Sequence, residues 1–247
     1  MQELHWSREN LYGLLFHQLG NHTGPEAERF RAVTEGWRRK DEDGCVRFVA
    51  PVGLVADQER QEQVFVTLAG PFMGTDRRKG HTYTWVPNHL QDGRGQVSPR
   101  TWLYALGRAA AITGERYAGH PVPLHYEAIR DSISGASSLR VDELREDIGW
   151  AATAIGQLAG GQVPMEPSVV HAHWRQGSLA AKLREALAEE SEGSGPREVD
   201  NPVALIEELT DLGVMTTRPN GAIDLPDVYR LAFGIGRRGG VARKQGG

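Results

Sequence analysis

The sequence is poor in several things at once. A single cysteine, Cys45, among 247 residues excludes an internal disulfide framework and suits a reducing compartment. No apolar run approaches the roughly 20 residues that cross a bilayer, and the opening MQELHWSREN has no signal-peptide pattern. Positive charge is not in excess either. Lys and Arg number 28 against 32 Asp and Glu, a formal net charge of -4, which does not suit a strongly basic nucleic-acid binder. A soluble, cytoplasmic protein with no membrane partner is expected.

Catalytic signatures are also missing. No Walker A pattern occurs, and the nearest stretch, GTDRRKG, has Lys and Gly in the wrong order for a loop that cradles phosphates. G-x-S-x-G and H-E-x-x-H are absent. Cys45 follows a glycine turn without an identifiable base, so it is not expected to act as a nucleophile. His171 and His173 stand two apart on a predicted helix and so point to different faces. His120, His125 and Glu127 in GHPVPLHYEAI are the best candidate metal ligands, but zinc usually takes three or four ligands at tighter spacing. Surface or capping roles are expected for the histidines, with no metal and no activity from the chain alone.

What the sequence does have is helical periodicity, with a hydrophobic fraction of 39% and length for one or two domains. The expected fold class is mainly α with small β elements. Ser7 caps a first helix carrying Leu11, Leu14, Leu15 and Leu19. A second starts at Pro25, keeps Phe30, Val33 and Trp37 on one face and closes at the Asp41–Gly44 turn. CVRFVAPVGLVA then reads as a short strand or buried connection, and a helix capped by Asp57 stops at Gly70-Pro71. Residues 75–95 have no helical period and predict a long loop. Ser98-Pro99 opens another helix, with Trp102, Leu103, Leu106 and Ala110 on one side. HYEAIRDSISGASSLRVDELREDI is expected to break near Gly135, and one helix to run from Pro167 towards Glu190. Past a Gly/Ser/Pro linker come a helix ending at Leu212-Gly213, two short strands around Pro219-Asn220-Gly221, and a last short helix.

Three arginine groups draw attention. Arg100 sits in the first turn of its helix, where the helix dipole favours anions rather than cations. Arg77 and Arg78 lie in the predicted loop, and Arg237, Arg238, Arg243 and Lys244 form a basic tail. From Arg197 to the end, seven basic residues meet seven acidic ones, so this module has no net positive charge to hold phosphate.

The order of these pieces resembles the C-terminal part of a bacterial AAA+/STAND-type P-loop ATPase. VSPRTWLYALGRAA is similar to the opening of the helical lid of that superfamily, PLHYEAIRDSISGASSLRVDELREDI to a second lid segment, and LIEELTDLGVMTTRPNGAIDLPDVYRLAFGI to a winged helix. The resemblance implies a remnant of the ATPase core over 1–95, a helical lid-like domain over 96–190, a linker over 191–202, a winged-helix domain over 203–236 and a flexible basic tail over 237–247. It also implies that Arg100 is a nucleotide-sensing arginine and that Arg77 or Arg78 is an arginine finger. Walker A and Walker B belong upstream of everything seen here, so ATP and Mg²⁺ would come only with a partner or a missing upstream half. The expected function is a non-catalytic regulatory or assembly module that couples nucleotide state to a protein or nucleic-acid partner. The alternative is a winged-helix regulator that binds DNA through Arg237, Arg238, Arg243 and Lys244.

Overall fold

In the computed structural model, residues 5–42, 44–189 and 195–238 are described. The chain is mainly helical with a few small strands. Two compact units divide it. The N-terminal unit comprises residues up to 88 and 96–132, and the C-terminal unit comprises 89–95 and 133 onwards. Residues 96–132, which the sequence groups with the segment up to 190, therefore cluster with the first 88. No helix among the described residues is long and apolar enough to cross a membrane.

The N-terminal unit begins with α1 (Arg8–Asn21), set by a capping box in which Ser7 and Asn10 exchange side-chain bonds with each other's backbone N–H. Next comes α2 (Pro25–Thr34), which ends well before the expected turn at Asp41. Glu35 and Gly36 take positive φ and lift the chain out of the helix. Trp37 is consequently not on its apolar face. Its ring lies over Gly20, where a Cβ would stand 2.1 Å from the nearest ring carbon, and its Nε1 donates to Thr34 Oγ1 at 2.8 Å. Val33 is exposed. Instead β1 (Arg38–Glu42) and β2 (Cys45–Val49) pair as an antiparallel hairpin, with Asp41 and Glu42 inside the first strand.

Two helices, α3 (Val52–Ala56) and α4 (Gln58–Ala69), lead to a 3-10 turn at Arg77–Lys79 and then to α5 (Thr82–Leu90). Much of the predicted loop is thus helical, because Tyr83, Val86 and Leu90 recur at helical spacing and are all buried. The unit continues into α6 (Pro99–Arg116) and the first turns of α7 (Tyr126–Asp147). Gly135 does not break α7. The apolar face formed by Ile129, Ile133, Ala136, Val141 and Leu144 is buried along its length and outweighs the roughly 1 kcal/mol that glycine costs in a helix.

Uncharged polar groups fasten the core of this unit. Tyr12 stacks on Tyr83 with ring centroids 4.1 Å apart, and its hydroxyl donates to the Tyr83 carbonyl at 2.7 Å. Tyr83 in turn donates to Gln61 Oε1 at 2.9 Å, while Gln61 Nε2 donates to the carbonyls of Glu9 and Leu54. Trp102 of α6 reaches the Leu11 carbonyl through Nε1 at 3.0 Å. Every buried donor in this cluster finds an acceptor, which lets tyrosines and a glutamine occupy a core.

In the C-terminal unit, the rest of α7 is followed by α8 (Gly149–Gly156), β3 (Gln162–Val163), α9 (Pro167–Gln176) and α10 (Leu179–Glu189). The single helix expected from Pro167 is two helices. The break falls at Gly177-Ser178, where Ser178 takes φ 52°. Then come α11 (Pro202–Asp211), β4 (Thr216–Thr217), β5 (Ile223–Asp224), α12 (Asp227–Arg230) and β6 (Gly236–Arg237).

β4 and β5 pair antiparallel across the Pro219-Asn220-Gly221 turn, as the Asn-Gly signal predicts. Met165 and Ile223 exchange backbone bonds of 2.9 and 2.8 Å, so the chain after β3 also pairs with β5. On its other side β3 pairs parallel with β6. Residues 89–95 belong here because Gly93 N–H donates to the Gly213 carbonyl at 2.6 Å. A side chain at Gly93 would meet the Met215 carbonyl oxygen at 2.7 Å. The Arg94 guanidinium caps the last turn of α11 at the Asp211 carbonyl.

Candidate functional site

Arg100 occupies the second position of α6, behind Ser98, whose Oγ accepts from the Thr101 N–H at 3.4 Å. It is exposed. Arg77 and Arg78 are exposed neighbours on the 3-10 turn, which Asp76 caps by accepting from the Arg78 N–H at 2.8 Å. Three surface cavities, of about 660, 500 and 570 Å³, are lined by other residues. These arginines stand on the N-terminal unit as surface cations.

The C-terminal basic group divides differently. Arg243 and Lys244 lie outside the described residues. Arg237 is a strand residue: its guanidinium reaches Asp224 Oδ2 at 3.2 Å, Asp227 Oδ1 at 3.3 Å and the Leu225 carbonyl at 2.9 Å. Arg238 is exposed, but its N–H donates to the Val163 carbonyl at 2.7 Å. The expectation of a flexible tail from residue 237 is thus corrected for residues 237 and 238. β6 needs a partner strand, β3 offers an open edge, and the side chain of Arg237 finds two carboxylates inside the unit.

The centre of this arrangement is Asp224, only 6% exposed. Besides Arg237, its carboxylate accepts from Arg218 Nε at 3.0 Å and Nη2 at 2.6 Å, and from the Leu225 N–H at 2.9 Å. Asp227 is held in turn by Arg230 Nε at 2.6 Å. Three arginines and two aspartates therefore knit the hairpin, α12 and β6 together. Sequence reasoning missed Arg218, Asp224 and Asp227. The register pairs Thr216 with Asp224 and Thr217 with Ile223, which puts Arg218 and Asp224 diagonal on one face of the hairpin. Opposite charges at that diagonal around an Asn-Gly turn were the available signal.

α11, the helix before the hairpin, carries Glu207 and Asp211 as exposed residues beside Val203, which is 53% exposed. No Lys, Arg or His occurs from Pro202 to Asp211.

The histidine candidates form a ring stack. His125 lies flat on Tyr117, with centroids 3.9 Å apart and an interplanar angle of 9°, and His120 meets it edge-on at 4.5 Å. The Glu127 N–H donates to His125 Nδ1, while the Glu127 carboxylate accepts from the Tyr117 hydroxyl at 3.2 Å. Partial burial, then the neighbouring His120, hold the His125 pKa below its ordinary value. Glu127 thus turns to the tyrosine. Among the described residues, no group of three or more His, Cys, Asp or Glu is placed to hold a metal ion. His171, on α9, and His173 belong to the C-terminal unit, and His171 Nε2 is buried with no hydrogen-bond partner. Cys45 is exposed on β2.

Comparison with known proteins returns no family model, no curated protein and no solved structure that matches the chain.

Proposed function

We propose that the chain is a regulatory or assembly module that docks protein, with its C-terminal unit arranged as a winged helix. The order α8, β3, α9 and α10, α11, β4, turn, β5 supports this reading. So does the antiparallel bridge from Met165 to Ile223, the pairing that a first and a third strand make in such a domain. The wing is then the Arg218–Gly221 turn, and α11 takes the place of the helix that would enter a major groove.

The observation that favours protein over nucleic acid is the charge of α11. Glu207 and Asp211 face outward with the apolar Val203, and a phosphate backbone repels that surface. Arg94 is engaged at the Asp211 carbonyl of this helix, and Arg218 and Arg237, on the hairpin and β6, are engaged by Asp224. A mixed acidic and apolar face suits a basic or apolar protein surface. Coupling to nucleotide follows from the resemblance. Arg100, with Arg77 or Arg78, is offered to phosphates held by a partner ATPase half, and ATP and Mg²⁺ belong to that partner.

Fluorescence anisotropy with a labelled 20-base-pair duplex tests the choice. At about 50 mM salt the chain is expected to give no saturable binding up to about 20 µM, below the range of ordinary non-specific DNA binders. Sub-micromolar affinity that falls steeply with salt would overturn the protein-docking reading in favour of a DNA regulator. For the nucleotide side, Mg²⁺-ATP titrated into the isolated chain is expected to show no site tighter than about 10 µM. A tighter one would contradict the assignment of nucleotide to a partner.

A further inference from the structure

The cavity of about 660 Å³ in the N-terminal unit lies between α1, the β1–β2 hairpin and α3. Its volume falls in the ordinary range for small-molecule sites. Leu14, Val49 and Val55 give it an apolar lining, to which half-buried Trp6 adds an aromatic side chain. Its charged lining is of one sign: Lys40 and Arg47 contribute to it beside His5, His17 and Asn10, and no carboxylate does among the described residues.

The hairpin register sharpens this. Lys40 pairs directly with Arg47, so two cations stand side by side on the same face. Like charges directly opposite one another destabilise a ladder. Here they share Glu42, which lies 2.6 Å from Arg47 and 3.5 Å from Lys40. All three side chains are about half exposed, at 54%, 47% and 53% for Arg47, Lys40 and Glu42. Ion pairs this wet contribute little and exchange readily. Glu42 is therefore a displaceable anion on a pair of cations beside an aromatic and apolar lining.

We propose that this groove binds a small aromatic anion, with its ring against Trp6 and Leu14 and its phosphate or carboxylate between Lys40 and Arg47. A planar ring gains from the indole face and the apolar lining. The anionic group gains charge-assisted bonds from two donors at once. Neither half alone matches the groove: a bare inorganic anion leaves the apolar lining wet, and a neutral ring leaves the cations to Glu42. This site is independent of the docking surface on the C-terminal unit.

Isothermal titration with three probes at about 50 mM salt tests it: adenosine monophosphate, 1-naphthoate and inorganic phosphate. At least one of the two aromatic anions is expected to saturate with a Kd of about 1 mM or tighter, and inorganic phosphate to bind about tenfold more weakly or worse. Which aromatic probe binds better identifies the anionic group as phosphate or carboxylate. Lys40→Gln with Arg47→Gln is expected to weaken binding at least about tenfold. Glu42→Gln is expected to tighten it about threefold, and this arm stands even where the double variant fails to fold. The proposal is overturned if neither aromatic probe saturates by about 10 mM, if inorganic phosphate binds as well, if the folded double variant binds like the parent, or if Glu42→Gln weakens binding.

Discussion

The two units bury polar groups in opposite ways. In the N-terminal unit the interior polar cluster is uncharged, Gln61 with Tyr12 and Tyr83, and the charges of the β1–β2 hairpin are left at the surface. In the C-terminal unit a carboxylate, Asp224, goes inside and draws Arg218 and Arg237 onto it. Both units carry an antiparallel hairpin with arginine near acid, yet the first pairing is a wet contact and the second fixes three elements. An arginine count therefore says little about available positive charge until the location of the carboxylates is known.

Mutations can break that contrast. The largest effect is expected at Gln61→Ala, about 3–4 kcal/mol by urea denaturation, because it opens a cavity, leaves the buried Tyr83 hydroxyl without its acceptor and takes a donor from the Glu9 and Leu54 carbonyls. The same network sets an alkaline limit. Burial pushes the pKa of Tyr12 and of Tyr83 well above the usual tyrosine value near 10, so the protonated phenols belong to the fold. Their contribution is complete below that value and drains away as pH climbs past it. Tyrosinate absorbance from this pair is expected only together with unfolding, and its appearance in the folded protein would contradict the burial.

Asp224→Ala comes next, at about 2–3 kcal/mol, since two arginines and the Leu225 N–H lose their acceptor while both arginines keep some contact with water. Arg237→Gln is expected to cost about 1–2 kcal/mol, because Arg218 still satisfies Asp224 and Arg230 still satisfies Asp227. Smallest is Glu42→Gln, expected within about 0.5 kcal/mol of the parent. Equal losses at Asp224 and Glu42 would erase the distinction between the hairpins.

Local signals in the sequence carried well into the fold. Ser7, Asp57 and Ser98 each cap a helix through a side-chain acceptor, and the Asn-Gly turn sits between β4 and β5. These motifs close over two or three residues, so neighbours in sequence suffice to specify them. The β1–β2 hairpin was not legible, because Arg38 to Glu42 are all charged and show no alternation. α5 hid behind Pro87 and its polar flanks, although Tyr83, Val86 and Leu90 had the right spacing. The role of Arg237 was out of reach for a different reason. Its partners lie at Val163 on the parallel strand and at Asp224 and Asp227, and such pairings are set by topology rather than by spacing. Arg100 lies in the first turn of α6, where Ser98-Pro99 pointed, whereas Arg77 and Arg78, expected in a loop, lie on the 3-10 turn.

Arg218 and Arg237, the basic residues at and beside the wing, belong to the fold and are not a free phosphate-binding tail. Amide hydrogen exchange followed by NMR addresses this at single residues. Gly236 and Arg238 donate to the carbonyls of Gly161 and Val163, so their N–H groups are expected to exchange at least about a hundredfold more slowly than in an unstructured chain. Exchange of both at the unstructured rate would contradict the account and return Arg237 and Arg238 to a mobile tail.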